Sequence, residues 1–134
     1  MTLSEEAART AGILLLSLLA VEWGGTFLFR VATERVGATD VQRRLYRAGH
    51  AHAGVLVTLG LVTAVLTDAT SLTGVLAQVA RSGVAVAAIL MSAGFFAAAA
   101  GRTRAHPAGV GLLAAGAASL AAGVLTLGLA LLLA

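Results

Sequence analysis

The sequence predicts an all-α integral membrane protein, a four-transmembrane-helix bundle, on three observations. The 134 residues are 59% hydrophobic and 11% charged, with a mean hydropathy of +0.96, too apolar for an ordinary soluble domain. Marking the charges leaves four segments, Thr10 to Phe29, Ala48 to Thr67, Ser82 to Gly101 and Ala105 to Ala134, each near or above the ~20 residues that a helix needs to cross ~30 Å of hydrocarbon. The apolar runs are continuous and rich in Ala, Leu, Val and Gly, whereas a barrel strand alternates polar and apolar side chains over about 10 residues. A single domain is expected, with spans at about 10–30, 46–67, 78–101 and 107–132.

The first segment follows Glu5 and Glu6 and offers no small-x-small cleavage site around Ala20-Val21-Glu22, so it reads as a retained anchor and not as a signal peptide. A long first connection is expected from about Arg30 to Arg47. Within it Arg43-Arg44-Leu45-Tyr46-Arg47 resembles a helical turn at the membrane surface, with Tyr46 as an interfacial anchor. The stretch between Asp68 and Arg81 is too short to cross; it either extends the third helix or lies along the surface. Pro107 fits the first turn of the fourth helix, where its missing N–H costs nothing, and His106 reads as an interfacial residue. Gly24-Gly25, Gly94, Gly109, Gly111, Gly116 and Gly123 fall inside the spans, where small residues let helices approach closely.

Charge placement orients the chain. The first and third connections hold seven arginines, Arg30, Arg35, Arg43, Arg44, Arg47, Arg102 and Arg104, leaving Arg9 and Arg81 for the other side. By the positive-inside rule both termini face outward. The same rule explains the pI of 11.1 without nucleic acid, for which no motif is present. All nine basic residues are Arg, a bias associated with GC-rich bacterial genomes, so the expected location is a bacterial cytoplasmic membrane. The absence of cysteine removes disulfides, thiolate nucleophiles and iron–sulfur clusters.

Function is sought in the polar residues inside the spans, because ionisable groups in hydrocarbon cost at least about 2.5 kcal/mol and mark pathways or ligand sites. Glu22 lies eight residues before Arg30, about 12 Å from the membrane boundary at 1.5 Å per residue. His50 and His52 open the second span at comparable depth, roughly 8 and 10 Å in by the same rise. Thr26 stands one turn from Glu22; Met91, Ser92 and Ser119 fall slightly deeper on the third and fourth spans. Imidazole binds transition metals and haem iron well. Side chains two apart on a helix point about 200° apart, however, so His50 and His52 do not easily grip one ion.

Gly49-His50-Ala51-His52-Ala53-Gly54 is similar to the His-x-His found near helix starts in haem–copper oxidases and related haem-membrane families, which implies a haem site; no mid-membrane His on another span pairs with it, and only Met91 offers an opposing soft axial ligand. Glu22-x-x-Gly25-Thr26-x-Leu28-x-Arg30 resembles the first helix of the small multidrug resistance transporters, four-helix proteins that exchange protons for cationic drugs. Here the first connection is longer than theirs, Arg30 stands where Lys is usual, and aromatics make up only 4%, which disfavours a cation-binding cage.

Three readings follow. In the leading one, a transition metal or haem is bound through His50, His52 and Glu22, with Met91 as a further candidate and Thr26, Ser92 and Ser119 as supporting polar groups. In the second, Glu22 is the proton-binding carboxylate of a transporter or channel for a small solute or ion. In the third, the chain is a non-catalytic accessory or assembly subunit. The bilayer is the constant partner, with self-association or docking on other membrane subunits expected from the small-residue faces. No catalytic residue is assigned, since no nucleophile–base pair has recognisable spacing.

Overall fold

The computed structural model describes residues 2–133 and contains four helices: α1 (Glu5–Ala32), α2 (Asp40–Thr67), α3 (Gly74–Ala98) and α4 (Pro107–Leu132). Each is long and apolar enough to cross a membrane. Local sequence sets their ends. Ser4 caps α1 by accepting from the Ala7 N–H, and Glu5 and Glu6 complement the positive end of the helix dipole. Thr39 and Gln42 form a capping box at the start of α2. The Pro107 ring starts α4 at its first position, and His106 caps it by accepting from the Ala108 N–H at 3.3 Å.

Several boundaries differ from the sequence reading. The capping box moves the start of α2 out to Asp40, so the first connection is only the seven residues 33–39; the Arg43–Arg47 run is the second turn of α2, not a separate surface turn. Glu34 turns the chain there with φ at 59°. Most of the stretch after Asp68 extends α3, which begins at Gly74 and ends at Ala98. Tyr46 is half-buried, its ring 5.1 Å from that of Phe27 and 5.5 Å from that of Phe96.

The helices pack in chain order. α2 lies against α1 and α3, and α4 lies against α3; α1 barely meets α3, and α1 and α4 do not touch among the described residues. Leu14, Leu56, Val57, Val84 and Ala88 form the central apolar cluster. The α3–α4 seam is closer. Gly109, Gly116 and Gly123 recur every seven residues on α4 and meet Ala98, Met91 and Gly83 of α3. A methyl group on Gly83 would stand 2.8 Å from the Gly123 Cα, and one on Gly109 would overlap the Ala98 backbone. The Ser119 hydroxyl crosses this seam to donate to the Gly83 carbonyl at 2.8 Å.

Polar contacts tie the helix ends. At one end Asp68 accepts from the Ser4 N–H at 2.7 Å and from its hydroxyl at 2.9 Å, while Arg81 donates to Asp68 at 3.1 Å and approaches Glu6 at 3.3 Å. Arg81 is only 7% exposed. At the other end Thr39 donates to the Arg102 carbonyl and Gln42 to the Ala99 carbonyl. The N-terminus and second connection thus share one end, and the first and third connections share the other.

Two predictions follow from this packing. Gly109→Leu should separate α3 from α4 and destabilise the fold by about 1–3 kcal/mol in thermal unfolding in detergent, whereas Gly111→Leu, which meets open space, should leave it nearly unchanged. The Ser4 N–H, together with the Ser4 hydroxyl and Arg81, holds the Asp68 carboxyl below its ordinary value of 3.8, against the opposing effect of burial. A depressed pKa stabilises the folded state fully above pH 3.8, and that contribution is lost as pH falls through the lower folded-state value. Acid titration followed by circular dichroism should show this loss in wild type; Asp68→Asn should start less stable at neutral pH and lack that step.

Candidate functional site

The wedge between α1 and α3 is a cavity of about 460 Å³, backed by α2. It exists because α1 and α3 both pack on α2 but hardly on each other, and because Gly24, Ala53, Ala85, Ala88 and Ser92 are too small to fill the gap. Ile13, Ile89 and Phe96, all exposed, form part of its lining. It therefore opens sideways onto the apolar surface that a spanning protein presents to lipid. Leu14 and Val57 supply its deeper wall.

His50 is the one titratable residue lining this cavity. Its ring lies against the backbone of Gly24 and Gly25, where an added methyl would sit 3.6 Å from the imidazole. Neither ring nitrogen has a hydrogen-bond partner among the described residues. The Ser92 hydroxyl, also lining the cavity, is buried and has no partner there either. Ser17 satisfies itself on the Leu14 carbonyl, and Ser82 accepts from Gln78. One turn from Gly24 and His50, the rings of Phe27, Tyr46 and Phe96 join all three helices and close that end of the wedge.

The other residues singled out in the sequence lie elsewhere. His52 hydrogen-bonds the Ala48 carbonyl through Nδ1 at 2.8 Å, a geometry that makes Nδ1 the protonated nitrogen, and its ring centre is 4.7 Å from that of Phe95. Gly49 is buried beneath Phe95 and Phe96. Glu22 and Thr26 are exposed on the outward face of α1 beside Trp23. Met91 packs on Gly116 and Ser119 bonds to Gly83, both at the α3–α4 seam. Of the residues picked from the sequence, His50 and Ser92 meet in one cavity; Glu22, His52 and Met91 do not join them. No group of three His, Cys, Asp or Glu side chains suited to a metal ion occurs among the described residues.

Sequence reasoning took Gly24 and Gly25 for packing residues and passed over Phe96. The signal for Phe96 is its position one turn beyond Ser92, on the same cavity-lining face of α3. Comparison of the chain with protein families, with curated proteins and with solved structures found no match.

The two histidines should separate by phenotype. His52→Ala removes a ring stacked on Phe95 and should lower stability by about 1 kcal/mol in thermal unfolding, while His50→Ala, which deletes a side chain already facing a cavity, should shift the midpoint much less.

Proposed function

We propose that the protein is a small multi-pass protein of a bacterial cytoplasmic membrane that binds haem in the cavity between α1, α2 and α3, with His50 as its ligand to iron. One observation carries this reading: a half-buried imidazole with both nitrogens free of partners among the described residues lines an apolar cavity of about 460 Å³. That volume is within the roughly 300–1,000 Å³ range of ligand pockets. A bare transition metal ion asks for three or four protein ligands, and the described residues gather no such group. Haem brings four nitrogens of its own and asks the protein for only one or two. Cores between bundle helices commonly hold such cofactors.

The Ser92 hydroxyl favours a second reading. Buried beside the cavity without a partner among the described residues, it suits a bilayer-soluble ligand with a carbonyl or hydroxyl head, such as a quinone ring, held between His50 and Ser92. An unmade hydrogen bond in an apolar site costs about 1–3 kcal/mol, which such a head would recover. Entry between α1 and α3 directly from the lipid fits either ligand. Proton-coupled transport draws less support, because Glu22 faces away from His50. Seven arginines, in the first and third connections and the helix turns beside them, gather at one end, which supports placing that end in the cytoplasm and both termini outside.

Haem titrated into detergent-purified wild type should produce a Soret band that saturates near one equivalent, disappears in His50→Ala and persists in His52→Ala and Glu22→Gln. No Soret band, but a thermal midpoint raised by a short-chain quinone and insensitive to it in His50→Ala, would select the second reading. Protein that responds to neither ligand refutes both.

A further inference from the structure

Beyond the cavity, the outward face of α1 carries a feature that lipid does not satisfy. Leu15, Leu19, Glu22, Thr26 and Phe29 are all exposed and spaced four, three, four and three residues apart, the spacing of a coiled-coil seam. At about 100° per residue this seam is opposite the helix face that lines the cavity through Leu14, Ser17, Val21 and Gly24. At its centre the Glu22 carboxylate accepts no hydrogen bond among the described residues. One position on, the Trp23 indole N–H donates none there, with 70% of the residue exposed. The Thr26 hydroxyl is already committed to the Trp23 carbonyl at 2.7 Å.

We propose that two copies of the chain associate in parallel through this face of α1, each Glu22 accepting a hydrogen bond from the partner's Trp23. The donor and acceptor identify the occupant. A face that holds an acceptor without a donor and a donor without an acceptor is complementary to itself under a two-fold axis, where every contact occurs twice. The register agrees. In a parallel coil, a side chain at the position of Glu22 enters a hole formed by the residues equivalent to Leu19, Glu22, Trp23 and Thr26 on the facing helix. The two carboxyl groups share the layer, and each reaches across it to the other copy's indole. Leu15, Leu19 and Phe29 supply the apolar layers on either side. The exposed face of α4, with Val110, Val124, Leu125, Leu129 and Leu132, is wholly apolar and needs only lipid.

The absence of native cysteine makes the test direct. Leu19→Cys, in the full-length chain reconstituted alone into phosphatidylcholine liposomes, should give a disulfide-linked dimer on mild oxidation, whereas Leu125→Cys on α4 should give at most a few per cent of that yield. Adding Trp23→Phe, which keeps an aromatic ring but removes the N–H, or Glu22→Leu should lower the Leu19→Cys yield at least fivefold, with circular dichroism and thermal midpoint unchanged. Both positions are exposed, so folding is not at stake. Equal cross-linking at positions 19 and 125, no cross-linking at 19, or a Leu19→Cys dimer indifferent to Trp23→Phe would each overturn the proposal.

Discussion

One guanidinium fixes how three of the four helices start and stop together. Arg81 reaches from the second turn of α3 to Asp68 at the end of α2 and to Glu6 in the first turn of α1, and Asp68 in turn takes both the N–H and the hydroxyl of Ser4. Solvent-exposed ion pairs contribute little, but here Arg81 is 7% exposed and the Asp68 side chain 10%. Removing either partner would leave the other charge buried and short of partners, a cost of about 3–5 kcal/mol. α1 needs this anchor more than the others do. Only 6% of its most apolar stretch is buried, against 39% in α3, so packing along its length does little to hold its register.

Because α1 is held by its N-terminal end and by α2, it can diverge from α3 without coming loose, and that divergence is the cavity. α3 cannot diverge from α4 in the same way. Glycine against glycine, at Gly83 and Gly123, brings the two backbones to a separation that admits no side chain, which maximises van der Waals contact where lipid gives no hydrophobic drive for helices to associate. The molecule is therefore tight on one flank and open on the other. The open flank holds the only titratable side chain that lines the wedge, and Ser92 is presented to it from the α3 side.

Position along each helix was legible in the sequence; direction around it was not. The four spans, the Pro107 start and the small-residue character of the close contacts follow from composition and local chemistry. The 200° step between His50 and His52 correctly separates their surroundings, one against Gly24 and Gly25, the other on Phe95. The side on which Glu22 projects could not be read, because in lipid the outward residues Leu15, Leu19 and Phe29 are as apolar as the inward Leu14, Val21 and Leu28. The periodicity that marks the buried face of a soluble helix is then nearly absent. Helix ends were misjudged for a related reason. A span was bounded by charge, yet a helix is bounded by its caps, and Thr39 with Gln42 starts α2 before the arginines that bound its apolar run.

These constraints leave α1 with two unlike faces and little between them. One lines the wedge with Leu14, Ser17, Val21 and Gly24; the other presents Leu19, Glu22, Thr26 and Phe29 outward. A helix so weakly buried, tied at one end by Ser4 and Glu6 and along one side by α2, is the element whose position the proposed guest in the wedge and the proposed neighbour on the outer face would both fix. Ordering it for one would lower the cost of ordering it for the other, and linkage makes that effect reciprocal. The polar groups are distributed accordingly. Among the described residues His50 and Ser92 remain without hydrogen-bond partners inside the wedge and Glu22 and the Trp23 indole without them outside it, and α1 is the helix that the rest of the fold holds least.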